Sequence, residues 1–297
     1  MSFYPGNADL KEGVISIDEA LNNPTIIEQR VAELAENNLI VDNVFAEGGD
    51  VSGGAVIYSK VTEKHLFAEN DVADRQPGDE YPSLYIARPE AQLAKVQDFG
   101  GKFATSHEAR KRNLTVDFDN DVTILANTIS RKLNQRAVET LDAAIDSGDV
   151  PTFGAGSDWE SIILDGAPDS ITAPQLRPTA DLATIIAHAD NLDMGIEYKN
   201  LLVHPNTRAN LRIAYGTNLT AMLEDFGLTL ISSSHMPKDK AYLVDPSKLG
   251  FIRYEEGLTV HTWEDGAHRQ TWTQGYAMPV MGVTTPAALG VILGIAA

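Results

Sequence analysis

The stretch from Glu47 to Phe103, "EGGDVSGGAVIYSKVTEKHLFAENDVADRQPGDEYPSLYIARPEAQLAKVQDFGGKF", limits the architecture more than any other part of the chain. Short strand-like pieces, "AVIYSKV", "SLYIA" and "QLAKVQDF", flank a charged middle bearing Pro and Gly, "AENDVADRQPGDEYP". This pattern predicts a long two-stranded excursion with a polar tip. A lone hairpin has no core of its own and is marginal in water. A strand of about ten residues reaches ~33 Å, far enough to lie across a neighbouring molecule. The glycines of "GGDVSGG", Gly48–Gly54, supply bending freedom at its base.

The clearest helix follows in "FDNDVTILANTISRKLNQRAVETLDAAIDSG". Val122, Leu125, Ile129, Leu133, Ala137, Val138, Leu141 and Ile145 recur at steps of three and four. Asp119, Asn120 or Asp121 can cap its start and Gly148 its end. A helix of about 27 residues is a rod of ~40 Å. Its basic zone is Arg110, Lys111 and Arg112, then Arg131, Lys132 and Arg136. In so acidic a chain, pairing with carboxylates or a solvated face explains that zone better than nucleic acid does.

Before the hairpin lies an acidic arm with one amphipathic patch, "PTIIEQRVAELAENN", where Ile27, Val31, Leu34 and Ala35 form a stripe. After the long helix comes a Gly/Pro/Ser-rich loop, "GDVPTFGAGSDWESIILDGAPDSITAPQLRP", marking a boundary around 151–178. Helical patterns "TADLATIIAHADNLD" and "NTRANLRIAYG" then bracket the strand "NLLV". The end reads as strands, with a hairpin turn expected at Asp265-Gly266.

The 297 residues suffice for a large core, and 43% apolar with 22% charged residues is ordinary for a folded protein. Cysteine is absent, which rules out disulfides, thiol nucleophiles and Cys-ligated metals. A formal net charge of −19 argues against binding by phosphate neutralisation. The opening "MSFYPGNADLKEGVISIDEAL" lacks the charged and apolar regions of a signal peptide. The closing apolar run, Met281–Ala297, falls short of the ~20 residues of a spanning helix and reads as a buried terminal strand. No membrane association is expected.

Catalytic patterns are missing. Ser52 sits among glycines without nucleophile-elbow spacing. The seven His lack i, i+3 or i, i+4 pairs and His-Glu-x-x-His, so no metal or cofactor is expected. His261 and His268 can come near Trp263 across the terminal hairpin, which cross-strand packing explains without a metal. His204, between strand and Pro205, reads as a helix cap; Asp245-Pro246 repeats the step. Paired carboxylates remain open among the 42 acidic residues.

The order of parts resembles the major capsid proteins of tailed bacteriophages, with the α+β fold of the Hong Kong 97 type. The phrases that carry the resemblance are "GGAVIYSK…QPGDEYP", "DNDVTILANTISRKLNQRAVETLDAAID", "ADLATIIAHAD…YKNLLVHPNTRANL" and the closing "HRQTWTQGYAMPVMGVTTPAALGVI". It implies an N-terminal arm (1–46), an extended hairpin loop (47–104) and a peripheral domain (105–178) with a spine helix at about 119–147. An axial α/β domain (179–256) and return strands of the peripheral domain (257–297) complete it. The implied function is structural, not enzymatic. Hexamers and pentamers would build an icosahedral shell around double-stranded DNA, in the virion, after assembly in the host cytoplasm. The DNA would be enclosed without sequence-specific contacts.

The resemblance also implies portal and decoration proteins as partners. The chain starts almost directly at the arm, so a separate scaffolding protein, or none, is expected. Some relatives carry a Lys–Asn crosslink. Lys60 and Lys64 are on the hairpin, but no Asn follows Gly257, so none of that type is expected. Candidate intersubunit contacts are Lys60, Lys64, His65, Phe67, Arg75 and Tyr81. An encapsulin-like nanocompartment shell is the alternative, and an acidic hydrolase with paired carboxylates the third reading.

Overall fold

The computed structural model describes residues 10–11, 14–15, 17–36, 39–78, 80–112 and 114–296. A short strand pair, β1 (Leu10–Lys11) and β2 (Val14–Ile15), precedes helices α1 (Ile17–Asn22) and α2 (Pro24–Glu36). Strands β3 (Ala46–Asp50) and β4 (Ala55–Ser59), helix α3 (Glu63–Leu66), and strands β5 (Ala91–Lys95) and β6 (Phe99–Ser106) form the excursion and its base. Helices α4 (His107–Arg112) and α5 (Thr115–Asp146), strand β7 (Thr152–Gly154) and helix α6 (Pro178–Asn191) follow. Next come β8 (Asn200–Val203), α7 (Pro205–Tyr215), α8 (Asn218–Asp225), β9 (Thr229–Ser232) and β10 (Lys240–Val244). The long strands β11 (Gly250–Asp265) and β12 (Gln270–Val283), then β13 (Leu289–Leu293), close the chain.

Helix α5 organises the molecule. Its stripe is buried from Val122 to Leu141, and at 1.5 Å per residue its 32 residues span about 48 Å. Its first half packs with α1, α2 and Val260 of β11 in one apolar cluster; its second half joins the main core. The helix therefore ties two sheets together. It begins a turn before the expected caps, because Phe118 is buried and meets Phe103 edge-to-face at 5.9 Å. Asp119, Asn120 and Asp121 lie inside it, so tertiary burial overrides their capping preference. Gly148, at φ 81°, follows its C-terminal end.

The five-stranded sheet has the order β7-β13-β10-β8-β9 and holds the core, with every residue of β8 buried. The four-stranded sheet, β3-β11-β12-β6, buries alternate residues of β12 from Thr271 to Ala277, as a one-sided strand requires. The terminal apolar run is β13, between β7 and β10. Among the described residues no helix is long and apolar enough to cross a membrane.

Both Pro steps are junctions. His204 Nδ1 accepts from Asn206 N at 3.1 Å, capping α7. Asp245, buried, accepts from Ser247 N at 3.0 Å and Glu197 N at 3.2 Å.

Two expectations need correction. "SLYIA" is not a strand, since no partner strand among the described residues reaches it. The Asp265-Gly266 turn is a four-residue loop, because β11–β12 pairing ends at Asp265↔Gln270. Asp265 there accepts from Ala267 N and His268 N, and Arg269 adopts φ 51°. The terminal hairpin packs across its strands, His261 on Tyr276 and Trp263 on Trp272, while His268 pairs with Asp265.

Candidate intersubunit surface

The hairpin has two unlike faces because alternate residues of paired strands point opposite ways. On the inner face Val56, Tyr58 and Ala94 pack against Phe251 and Val280. Tyr58 meets Phe251 edge-to-face at 5.5 Å. On the outer face Ile57 stands opposite Leu93, 75% and 57% exposed. The same cross-strand pair buried against protein would lose that apolar area from water.

Where the hairpin leaves the body, it is tied down on one side. Val61 N donates to Thr284 O at 2.7 Å, and Gln97 N to Pro279 O at 3.1 Å. Lys60 Nζ donates to Ser147 Oγ at 2.7 Å and pairs with Asp149, just past the end of α5. The hydrogen bond from Lys60 to Asp149 holds that carboxyl below the usual carboxylate range, with the charge of Lys60, a bond from Ser147 and the charge of Lys64 adding to it. Opposite, Gly49, Gly53 and Gly54 all take positive φ, the left-handed conformation that the base turn needs.

Beyond the base, α3 has a capped first turn, where Thr62 N donates to His65 Nδ1 at 3.1 Å. That ring nitrogen must be unprotonated to accept. Farther out the two arms are joined mainly through Asn70, whose Nδ2 donates to Ser83 O at 2.9 Å. Its Oδ1 accepts from Tyr85 N at 2.8 Å. Glu69 N completes the clamp on Tyr85 O at 3.0 Å. Arg75 lies 5.0 Å over the Tyr81 ring, a cation–π pair. Val72, Tyr81, Tyr85 and Ile86 are each at least two-thirds exposed.

The candidate residues therefore divide. Lys60 and His65 hold the hairpin's own shape. Lys64, Phe67, Arg75 and Tyr81 are exposed. Sequence reading missed Asn70, Asp149 and Asn134, the last of which accepts from Ile40 N at 3.0 Å in a buried bond. The signal for Asn134 was a polar residue inside an apolar stripe. Within the basic zone Arg110 pairs with Glu264 at 3.2 Å, and Arg136 lies over the Phe99 ring. Among the described residues no group of three or more His, Asp or Glu is arranged to hold a metal ion.

Comparison with curated protein sequences finds no match. Solved structures do match. A phage-related protein from Bordetella bronchiseptica RB50 superposes with a TM-score of 0.63 at 11% identity, covering 91% of this chain and 96% of its own. The capsid of cyanophage P-SCSP1u gives 0.59 at 11% identity, over 84% of this chain and 87% of that one. A virus-like particle from Pyrococcus furiosus gives 0.56 at 11% identity, over 89% and 98%. These likenesses establish the capsid fold of the Hong Kong 97 type. The family model described as phage capsid protein matches residues 89–292. The chain belongs to the phage capsid protein family and is a viral major capsid protein.

Proposed function

We propose that copies of this chain assemble into hexamers and pentamers, and these into an icosahedral shell around double-stranded DNA. The observation that carries this reading is the hairpin, which holds Ile57, Val72, Tyr81, Ile86 and Leu93 in water. Several large apolar side chains left exposed along one excursion mark an interaction surface, and a neighbouring copy would cover it. In this reading α5 and the β11–β12 hairpin belong to the peripheral domain (105–178 and 257–297), and β8, β9 and β10 to the axial domain (179–256), whose sheet β7 and β13 join from the peripheral segments. Lys64, Phe67, Arg75 and Tyr81 contact the neighbour, while Lys60 and His65 set the angle at which the hairpin leaves. The chain has a structural duty and catalyses nothing. Shells assemble in the host cytoplasm, with portal and decoration proteins as partners and a separate scaffolding protein or none, and end in the virion. A net charge of −19 keeps packaged DNA from adhering to the wall.

Light scattering and negative-stain microscopy of the purified full chain test the reading. Megadalton rings, tubes or shells are expected. A monomer that persists at high concentration and with phage lysate added would overturn it. An encapsulin-like shell is the second reading, favoured by the 98% coverage of the Pyrococcus furiosus particle protein. The contents of purified particles separate the two: DNA supports the first, a protein cargo the second.

A further inference from the structure

The five-stranded sheet ends in two dissimilar edges. At the β9 edge, α7, α8 and β9 enclose an open groove of about 740 Å³. Its floor is apolar, with Leu219, Leu223 and Leu228 buried. Arg208 and Arg212, one turn apart on α7, line it, together with Glu224. Arg208 Nη1 donates to Ser232 Oγ at 3.0 Å, which fixes the guanidinium against β9. Ile213, beside Arg212, is 81% exposed.

At the opposite edge β7 runs into the loop 155–177. Its root is rigid: buried Asp181 accepts from Gly156 N and Trp159 Nε1, each at 2.9 Å, and Trp159 is itself buried. Its outer part closes into a lobe, where Ile163 N donates to Thr172 Oγ1 at 3.0 Å and Thr172 N to Ile163 O at 2.8 Å. The loop carries Asp158, Glu160, Asp165 and Asp169 against one cation, Arg177, whose Nε donates to Thr172 O at 2.9 Å at the base of the lobe. Asp165, Asp169 and the apolar Ile163 are exposed on this lobe.

We propose that the acidic lobe of one copy docks in the Arg208–Arg212 groove of the next copy, edge to edge around a ring. The inference rests on the assembly reading and names one of its interfaces. The two edges lie about 19 Å apart, four interstrand spacings, on opposite sides of one rigid sheet. A contact between unlike patches on opposite sides of a subunit is head-to-tail, the kind that closes into rings. Charge then sets the register. Lobe against groove attracts, whereas lobe against lobe and groove against groove repel. In a chain of net charge −19, copies otherwise repel, so a local cationic groove selects where they meet.

The test compares the full chain with R208E/R212E, with D165R/D169R, and with the fourfold swap carrying all these changes. Thermal melts establish folding, and light scattering with negative stain reads assembly. Each pair alone is expected to raise the concentration for half-assembly at least about tenfold, and the fourfold swap to restore it. If either pair assembles like wild type, the docking proposal falls while the assembly reading stands. If both pairs are folded and impaired but the fourfold swap does not recover, the patches face other partners, such as an acidic segment of another protein, and the proposal falls too. A wild-type chain that forms no particles overturns the assembly reading itself.

Discussion

At the scale of single residues, buried polar groups do the fixing. Tyr242 is buried in β10, and its hydroxyl donates to Asp142 Oδ1 at 2.5 Å, joining the five-stranded sheet to α5. Burial first, and then that bond and the Asp142 charge, push its phenol far above the ordinary tyrosine range, so it stays a donor at any physiological pH. Tyr242→Phe keeps the ring and deletes the donor to a carboxylate. It should cost about 1.5–3 kcal/mol, read as a lower urea midpoint at unchanged slope. Lys60 and Asp149 give a pH signature. A carboxylate depressed in the native state stabilises above its unfolded value and loses that contribution as pH falls through the native one. Hydrogen-exchange protection at Val61 should therefore hold at neutral pH and drop only below about pH 4. Lys60→Ala should show weaker protection at Val61 at neutral pH already. Equal protection in both proteins would mean that the pair does not restrain the hairpin.

At the scale of elements, close backbone approach decides what can pair. Gly250 opens β11 opposite Val283, and a Cβ there would lie 2.0 Å from the carbonyl oxygen of Gly282. Backbone cannot step aside as a flexible side chain can. Gly250→Ala should cost about 3 kcal/mol, measured by denaturant unfolding, whereas Gly257→Ala, with open space around it, should be near neutral. The same scale shows what was legible in the chain. Period-2 and period-3.6 patterns located α2, α5, α6, α7 and β12, because each buries one continuous face. "SLYIA" read as a strand because β-branched and aromatic residues carry that propensity, yet no strand among the described residues pairs with it. The start of α5 was misread because Phe118 takes its burial from Phe103, a contact that no local pattern encodes. The hairpin was visible as a region, but Asn70 and Asp149 were not. Their partners, Ser83, Tyr85 and Lys60, are named only once the chain has turned back on itself.

At the scale of the whole molecule, folding and assembly draw on different residues. None of the three apolar clusters contains a residue between Lys60 and Glu90, although that segment holds much of the exposed apolar surface. The fold should survive without it. Ser59 pairs with Ala91, so an Asn-Gly turn replacing residues 60–90 would close β4 onto β5 as a two-residue hairpin. The excision also removes the Lys60–Asp149 pair, but that pair is partly exposed and worth no more than about 1 kcal/mol. The melting temperature should then shift by no more than about 4 °C. Light scattering should meanwhile report a well-folded monomer or small ring in place of megadalton particles. A large loss of thermal stability would mean that the hairpin belongs to the fold. Particles of wild-type size would mean that the shell closes without it, and the apolar outer face would need another occupant. The expected combination, an intact fold with no shell, follows from where the apolar surface lies. Residues that build the core lie at the crossing of α5 with the two sheets, and much of the exposed apolar surface lies on the segment that leaves them.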